Sequence, residues 1–215
     1  MPSIAVMNAK GGVGKSTLSM AIGETLSTFH YKSVLLVDSD GQMSLSIMMM
    51  PMDHLARMRD NDATIVGFLR TILRNSRKTP WQEFIASHVG DGGDANKLYL
   101  LPGDMDLPLI EREICAQYEI NAARAACRKL LREAEDYVDF VIIDCAPGIS
   151  VSTECWLREC DWHLIPCKPD VLAAAGLQYL KTFRDRNPEL GFAQLLGTVV
   201  NMRNAHSLPE QLLFE

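Results

Sequence analysis

An α/β fold with a doubly wound, mostly parallel sheet flanked by helices is predicted by two observations. Short apolar runs alternate with stretches of helical spacing along nearly the whole chain, an order typical of parallel strands joined by crossover helices. Several of these runs are apolar at almost every position, as expected when helices cover both faces of a sheet. The 215 residues suit one domain, residues 1–215, with a sizeable core.

The predicted strands and helices alternate in chain order. The strands are residues 4–7, 33–37, 97–101, 138–144, 162–165 and 195–200. The helices are residues 15–28, 63–75, 81–89, 106–135, 150–160 and 171–186. In the long helix 106–135 the side chains expected to face the core are Ile110, Ile114, Ala122, Ala125 and Leu130. The methionine-dense segment 43–52 is expected to provide flexible apolar packing beneath a loop, with a partner-facing surface as the alternative.

A glycine-rich stretch follows the first strand and precedes the first helix. It fits the pattern G-x-x-x-x-G-K-[ST] except at its first position, where Ala9 stands for glycine. Glycines let successive backbone N–H groups turn inward around phosphate oxygens, and the helix N-terminus adds partial positive charge. In such a loop Lys15 reaches the β- and γ-phosphates, the Ser16 hydroxyl binds Mg²⁺, and Thr17 lies near the α-phosphate. The other nucleotide-binding residues expected in this loop are Gly11, Gly12, Val13 and Gly14.

Aspartates follow two of the other predicted strands. Asp38 and Asp40 come directly after strand 33–37, and Asp144 ends the apolar strand 138–144. Ligand chemistry in open parallel sheets gathers at the carboxyl ends of strands, so these side chains are candidates for the same site as the phosphate loop. Asp144 has the form expected of a Walker B aspartate, which holds Mg²⁺.

Composition excludes few classes of function. With 27 acidic and 21 basic side chains the net charge is −6, which does not favour nucleic-acid binding by bulk charge, although a local basic patch stays open. Basic side chains outnumber acidic ones in segment 57–78, which is more simply explained by solvated helix faces than by DNA contact. The six cysteines form no C-x-x-C pair and are expected to be reduced. No apolar run is long enough for a membrane span and no leader precedes the first strand, so we expect a cytoplasmic protein.

With these motifs placed, the sequence resembles the ParA/MinD family of deviant Walker A P-loop ATPases. The family pattern K-G-G-V-G-K-[ST]-[ST] is matched throughout residues 10–17, which begin with the discriminating Lys10. The family's D-x-D-P-Q motif is matched by residues 38–42 except that Gly41 replaces proline, and its third motif resembles residues 139–147. Residues 98–114 and 163–180 resemble the ParA/Soj side of the family more than the MinD side.

The resemblance implies a role for each site residue and predicts the fold of P-loop NTPases. Lys10 would reach across a dimer interface to the partner's ATP, so that two monomers sandwich two nucleotides. Asp40 would orient the attacking water, and Ser16, Asp38 and Asp144 would hold Mg²⁺ or its shell. The catalytic residues implied are thus Lys10, Lys15 and Asp40. Asn201 resembles the position that recognises adenine in MinD-like members.

The function implied is that of a slow, partner-stimulated ATPase. Its cofactors would be ATP or ADP and Mg²⁺, and its ATP-bound homodimer would bind DNA nonspecifically on the bacterial nucleoid. A ParB-like partner would stimulate hydrolysis, and the cycle would position a plasmid, a chromosome or another cytoplasmic cargo. Relatives usually continue past the position of Asn201 with further helices, so we expect either a minimal domain or an incomplete chain.

Two alternatives belong to other classes. One is a regulatory or scaffold protein of a secretion or polysaccharide-synthesis machine that uses ATP as a dimerisation switch and hydrolyses little of it. The replacement of proline by Gly41 and of a second proline by Ala146 keeps this alternative open. The other is an iron–sulfur relative of the nitrogenase-reductase kind, for which no cysteine stands at a defensible position.

Overall fold

The computed structural model describes residues 1–74, 80–90, 97–117, 119–169 and 171–202, and of residues 171–177 the backbone alone. The strands of this part are β1 (Ser3–Val6), β2 (Val34–Ser39), β3 (Ala86–Ser87), β4 (Leu98–Leu101), β5 (Phe140–Cys145), β6 (Trp162–Cys167) and β7 (Gln194–Val200). The α-helices are α1 (Lys15–His30), α2 (Ser44–Met49), α3 (Met52–Asp60), α4 (Ile65–Leu73), α5 (Leu107–Ala116), α6 (Ile120–Ala134), α7 (Val151–Glu159) and α8 (Val171–Arg186). Within the described residues, two short 3₁₀ helices span Trp81–Phe84 and Pro188–Leu190.

The described strands form one sheet in the order β3-β4-β2-β5-β1-β6-β7. All neighbours are parallel except β3, which runs antiparallel to β4 at the edge. Strand β1 lies between β5 and β6, so the loop that follows β1 leaves the middle of the sheet. Because the carboxyl ends of parallel strands share one edge, this loop lies beside the ends of β2 and β5.

Each face of the sheet carries its own hydrophobic core. Alternate side chains of the central strands divide between the two: Leu35 and Ile143 face one core, and Leu36 and Ile142 face the other. Helices α4, α5, α6 and α7 cover the first face, whereas α1, α2 and α3 cover the second. Helices on both faces explain why these strands are apolar at successive positions, and they confirm the doubly wound, mostly parallel α/β fold.

Two predicted helices are wrong. Residues 81–89 form a 3₁₀ turn and then β3, because the turn buries Trp81 and Phe84 and the chain then pairs with β4. The predicted helix 106–135 is two helices, α5 and α6, which are separated at residues 117–119. This break shifts the helical phase, so that in α6 Ala125 is exposed and Ala126 is buried instead.

The methionine-dense segment is helical. It forms α2 and the start of α3, with Met49 and Met50 buried in the second core and Met43 buried as well. Met48 and Met52 are exposed. The segment therefore packs beneath the sheet's carboxyl edge with only part of its methionines.

Candidate nucleotide-binding site

The glycine-rich loop has the backbone that its sequence predicts. Gly12 and Gly14 have φ angles of +71° and +90°, a region that side chains with a Cβ rarely enter. Gly14 is the N-cap of α1 and its carbonyl accepts the Leu18 N–H at 2.9 Å, so the helix begins directly at Lys15. Lys15 is only 6 % exposed. A buried lysine at a helix N-terminus, beside a glycine-rich turn, forms a strongly positive cradle suited to phosphate.

Asn8 holds the start of this loop in place. Its side-chain amide donates to the Pro166 carbonyl at the end of β6 at 2.7 Å, and its Oδ1 accepts the Lys10 N–H at 2.9 Å. Its carbonyl accepts the Gly148 N–H, which ties the loop after β5 to the glycine-rich loop. Asn8 is buried, so these bonds fix where Lys10 leaves the sheet edge. The side chain of Lys10 is half-buried.

Asp38 and Asp144 are neighbours in the sheet. They are paired in the ladder between β2 and β5, and neither is exposed to solvent. The pKa of Asp144 is raised from 3.8 to about 7, mainly because the carboxyl is buried. The nearby Ser16 hydroxyl and the charge of Lys15 lower this pKa, whereas the negative charge of Asp38 raises it. Burial also raises the pKa of Asp38 to about 6. Two buried carboxylates side by side favour the approach of a cation.

Asp144 fits a magnesium site. Its Oδ1 accepts the Ser19 hydroxyl at 3.4 Å, whereas its buried Oδ2 has no hydrogen-bond partner among the residues that the structure describes. An unpaired carboxylate oxygen beside the hydroxyl-bearing Ser16 matches the way P-loop proteins hold Mg²⁺, with few protein ligands and several waters. Within the described ranges, no group of three or more His, Cys, Asp or Glu side chains is arranged to hold a metal ion.

Asp38 holds two loops together. Its Oδ2 accepts both the backbone N–H and the hydroxyl of Ser46, at 2.8 and 2.7 Å, and its Oδ1 accepts the Asp40 N–H at 3.3 Å. The Ser46 hydroxyl in turn accepts the Gly103 N–H at 2.8 Å. Asp40 itself is 8 % exposed, and its Oδ1 accepts the Gln42 N–H at 2.9 Å. The predicted roles of Asp38 near the metal and of Asp40 at the attacking water stay predictions.

Asn201 lies beside the glycine-rich loop. It follows β7, and its side-chain amide donates to the Val13 carbonyl at 3.0 Å. The same amide lies against Gly14, where any Cβ would collide with it. The sheet therefore brings Asn201 to the edge of the site, as the sequence led us to expect, and a role in adenine recognition stays a prediction.

The basic segment between β2 and β3 is largely paired with acidic side chains. Arg57 contacts Asp53 at 2.8 Å, Arg59 contacts Asp104 at 3.5 Å, and a third pair joins Arg70 to Asp62. These pairs favour the solvated helix faces over a DNA-binding surface. Arg77 and Lys78 lie outside the described residues. No helix in the described part of the chain is long and apolar enough to cross a membrane.

Sequence reasoning missed four residues that organise the site: Asn8, Ser19, Ser46 and Gly103. Ser19 stands one helical turn after Lys15, so its position toward the same strand ends could have been predicted from the four-residue spacing. Ser46 in α2 and Gly103 in the loop after β4 are 57 residues apart, and their meeting depends on the order of strands in the sheet, which no local pattern reveals.

Known proteins resemble the chain over most of its length. A family model described as "AAA domain" (AAA_31) matches residues 1–191. An uncharacterised protein of Mycobacterium tuberculosis is 30 % identical over 95 % of the chain and 60 % of its own length. The chromosome partitioning protein ParA of Myxococcus xanthus is 29 % identical over 97 % of the chain and 69 % of its own length. The chain thus spans about two thirds of these curated relatives.

A solved structure has the same fold. Cobyrinic acid a,c-diamide synthase from Mycobacterium smegmatis, crystallised with an ATP analogue and magnesium, superposes with a TM-score of 0.77 at 25 % identity. The superposition covers 100 % of the chain and 80 % of that structure. The family model, the partitioning relatives and the glycine-rich loop agree: the chain belongs to the AAA_31 family of AAA domains, as a P-loop protein of the ParA/MinD type.

Proposed function

We propose that the chain is a Mg²⁺-dependent ATPase that dimerises around ATP and positions DNA or another large cargo. The observation that carries this proposal is the meeting, at one sheet edge, of the buried Lys15 with the paired carboxylates Asp38 and Asp144. The site has a buried ammonium and a phosphate cradle on one side and an unpaired carboxylate oxygen on the other. This arrangement suits a nucleoside triphosphate with a divalent cation.

Each residue then has a chemical task. The backbone N–H groups of residues 11–17 and the Lys15 ammonium bind the phosphates, and the Ser16 hydroxyl would ligate Mg²⁺ while Asp144 accepts from its water ligands. When bound, Mg²⁺ would neutralise negative charge on the β- and γ-phosphates. Asp40 orients the attacking water. In the transition state of ATP hydrolysis, negative charge spreads over the γ-phosphoryl oxygens. Fixed positive groups stabilise this charge and so contribute most of the rate enhancement.

Lys10 completes the site of a second copy in this proposal. Its backbone is fixed by Asn8 at the start of the loop, and its side chain is half-buried. The resemblance to the ParA/MinD family supports contact with the partner's phosphates, because the discriminating lysine of that family stands at this position. Hydrolysis then requires the dimer, and ATP serves as a switch.

DNA and a ParB-like stimulating protein are the proposed partners. The relative from Myxococcus xanthus is a chromosome partitioning protein, which supports the ATPase over a scaffold that barely hydrolyses ATP. The net charge of −6 means that DNA contact would come from a local basic patch formed in the dimer. The synthase activity of the similar solved structure belongs to that protein and is not carried over.

Light scattering tests the switch. We would measure the mass of wild type and of Lys10→Ala with ADP, with a slowly hydrolysed ATP analogue, and with each plus nonspecific duplex DNA. The proposal predicts a wild-type dimer only with the ATP analogue, a weaker dimer for Lys10→Ala, and DNA binding by the dimer alone.

Other results have clear meanings. A single mass in every nucleotide state, together with no binding to DNA, would contradict the switch. A dimer that forms with ATP but ignores DNA would support the scaffold alternative instead. Asp136 is an exposed carboxylate between α6 and β5. Asp136→Ala is the control, and we expect it to behave as wild type.

A further inference from the structure

Ser46 joins the loops that follow β2 and β4. Its hydroxyl donates to Asp38 Oδ2 and accepts the Gly103 N–H, so one oxygen atom bridges a carboxylate and a backbone amide. Ser46 is fully buried, as is Asp38. A buried hydroxyl that both donates and accepts has one orientation that satisfies every group, so the bridge is geometrically specific.

Gly103 is shaped for this contact. A β-carbon there would lie 2.8 Å from Asp38 Cγ and 3.0 and 3.1 Å from the two carboxylate oxygens. Only glycine allows the loop to approach this closely. The loop after β4 therefore packs closely against the Asp38 carboxylate, and the carboxylate has little freedom to turn.

The same carboxylate reaches Asp40. Asp38 Oδ1 accepts the Asp40 N–H at 3.3 Å, so any rotation of Asp38 changes the backbone that carries Asp40. The chain of contacts runs from the Gly103 N–H through the Ser46 hydroxyl and the Asp38 carboxylate to the Asp40 backbone. Ser46 itself has no exposed surface.

We infer that Ser46 is a positioning residue, whose bridge between Asp38 and Gly103 sets the place of Asp40 for hydrolysis. This inference rests on the proposed ATPase function and adds a residue to it. The side-chain hydrogen bonds of Ser46 go to Asp38 and Gly103, and within the described residues none goes to the glycine-rich loop. We therefore expect Ser46 to act on the rate of the chemical step and to leave the KM for ATP unchanged.

Steady-state ATP hydrolysis by four proteins tests the inference: wild type, Ser46→Ala, Ser46→Cys and Ser46→Thr. Ser46→Ala removes the hydroxyl with almost no change in volume, whereas Ser46→Cys puts a larger, weakly donating thiol in its place, so the two variants together separate the hydrogen bonds from the packing. We expect kcat of Ser46→Ala and Ser46→Cys to fall about tenfold to a hundredfold, as for a misplaced reacting group, with the KM for ATP unchanged. Ser46→Thr keeps the hydroxyl and should recover most of kcat. The matched control is Ser44→Ala, which removes a hydroxyl from the same helix outside the bridge.

Hydrogen exchange of the Asp40 amide gives a second readout that needs no turnover. In Ser46→Cys this amide should exchange faster than in wild type, because its acceptor Asp38 is no longer held; in Ser44→Ala its exchange should be unchanged. Wild-type kcat in Ser46→Cys, or equal losses in kcat and in ATP affinity, would overturn the inference and leave the proposed ATPase intact. If wild type hydrolyses no ATP, the proposed function fails. The positioning role of Ser46 would then be overturned as well if the Asp40 amide exchanged at the same rate in Ser46→Cys as in wild type.

Discussion

The Asp144→Asn variant is expected to be more stable than wild type at pH 8 in the absence of Mg²⁺ and nucleotide. Burial raises the pKa of Asp144 from 3.8 to about 7, so at pH 8 the folded chain holds an ionised carboxylate in an unfavourable place. The difference between these two pKa values corresponds to about 4 kcal/mol of lost stability. Asparagine fills the same volume without the charge. We therefore expect a gain of about 2–4 kcal/mol in the free energy of unfolding.

The gain should depend on pH in a defined direction. Between about pH 4 and pH 7 the folded chain binds a proton at Asp144 that the unfolded chain releases, so the free energy of unfolding of wild type falls as the pH rises through this window. The slope from this one group is about 1.4 kcal/mol per pH unit. The advantage of Asp144→Asn should consequently shrink as the pH is lowered from 8 toward 4.

Urea unfolding at pH 8, 6 and 5, with a chelator present, measures the effect. Asp136→Asn, which changes an exposed carboxylate to an amide, is the control and should leave the unfolding midpoint unchanged at each pH. A loss of stability in Asp144→Asn at pH 8, or a gain of the same size at every pH, would refute the reasoning that burial of the charge opposes folding.

Three further changes have expected outcomes. Gly41→Ala should lower the free energy of unfolding by about 1–3 kcal/mol, because its Cβ would lie 2.9 Å from Pro108 Cδ. In a double-mutant cycle of urea unfolding, Pro108→Ala should recover most of this loss, and additive effects would contradict the contact. Lys15→Ala should abolish the rise in Tm that MgATP causes in wild type, and an unchanged rise would place the nucleotide elsewhere. Glu159→Gln should lower the free energy of unfolding by about 1–3 kcal/mol, because Glu159 accepts hydrogen bonds from Arg124 at 3.0 Å and from Arg128 at 2.7 Å. A urea midpoint equal to that of wild type would show that these pairs do not stabilise the packing of α6 against α7.

The central strands could be predicted because their physical cause is local. A strand covered on both faces must be apolar at successive positions, and residues 33–37 and 138–144 show this without ambiguity. The positive φ angles of Gly12 and Gly14 were likewise expected, because only a glycine turn lets the backbone surround a phosphate. Asp144 ends a strand that could be recognised, so its arrival at the sheet edge followed from the topology.

The break between α5 and α6 could not be predicted from periodicity. Both halves of residues 106–135 are amphipathic, and the sequence between the end of α5 at Ala116 and the start of α6 at Ile120 contains no glycine or proline as a signal. The small residues of α6 made the error easy, because alanines occur on both its buried and its exposed faces. Ala126 is buried and Ala125 is exposed, which only the tertiary structure decides.

The bridge at Ser46 was invisible for a different reason. A serine within the apolar segment 43–52 carries no local sign of function, and its partner Gly103 is 57 residues away. The contact exists because β4 lies next to β2, so that the loops after the two strands meet. Strand order is a property of the whole chain, and residues that depend on it are found only once the sheet is known.

Complementation between two inactive variants tests the central claim of an ATP-dependent dimer most directly. In a mixture of Lys10→Ala and Asp40→Ala, each mixed dimer would have one complete site, with Asp40 from the first chain and Lys10 from the second. Random pairing makes about half of the dimers mixed, so we expect the mixture to recover about a quarter of wild-type ATP hydrolysis although each variant alone is inactive. A mixture that stays as inactive as its components would contradict the action of Lys10 across the dimer.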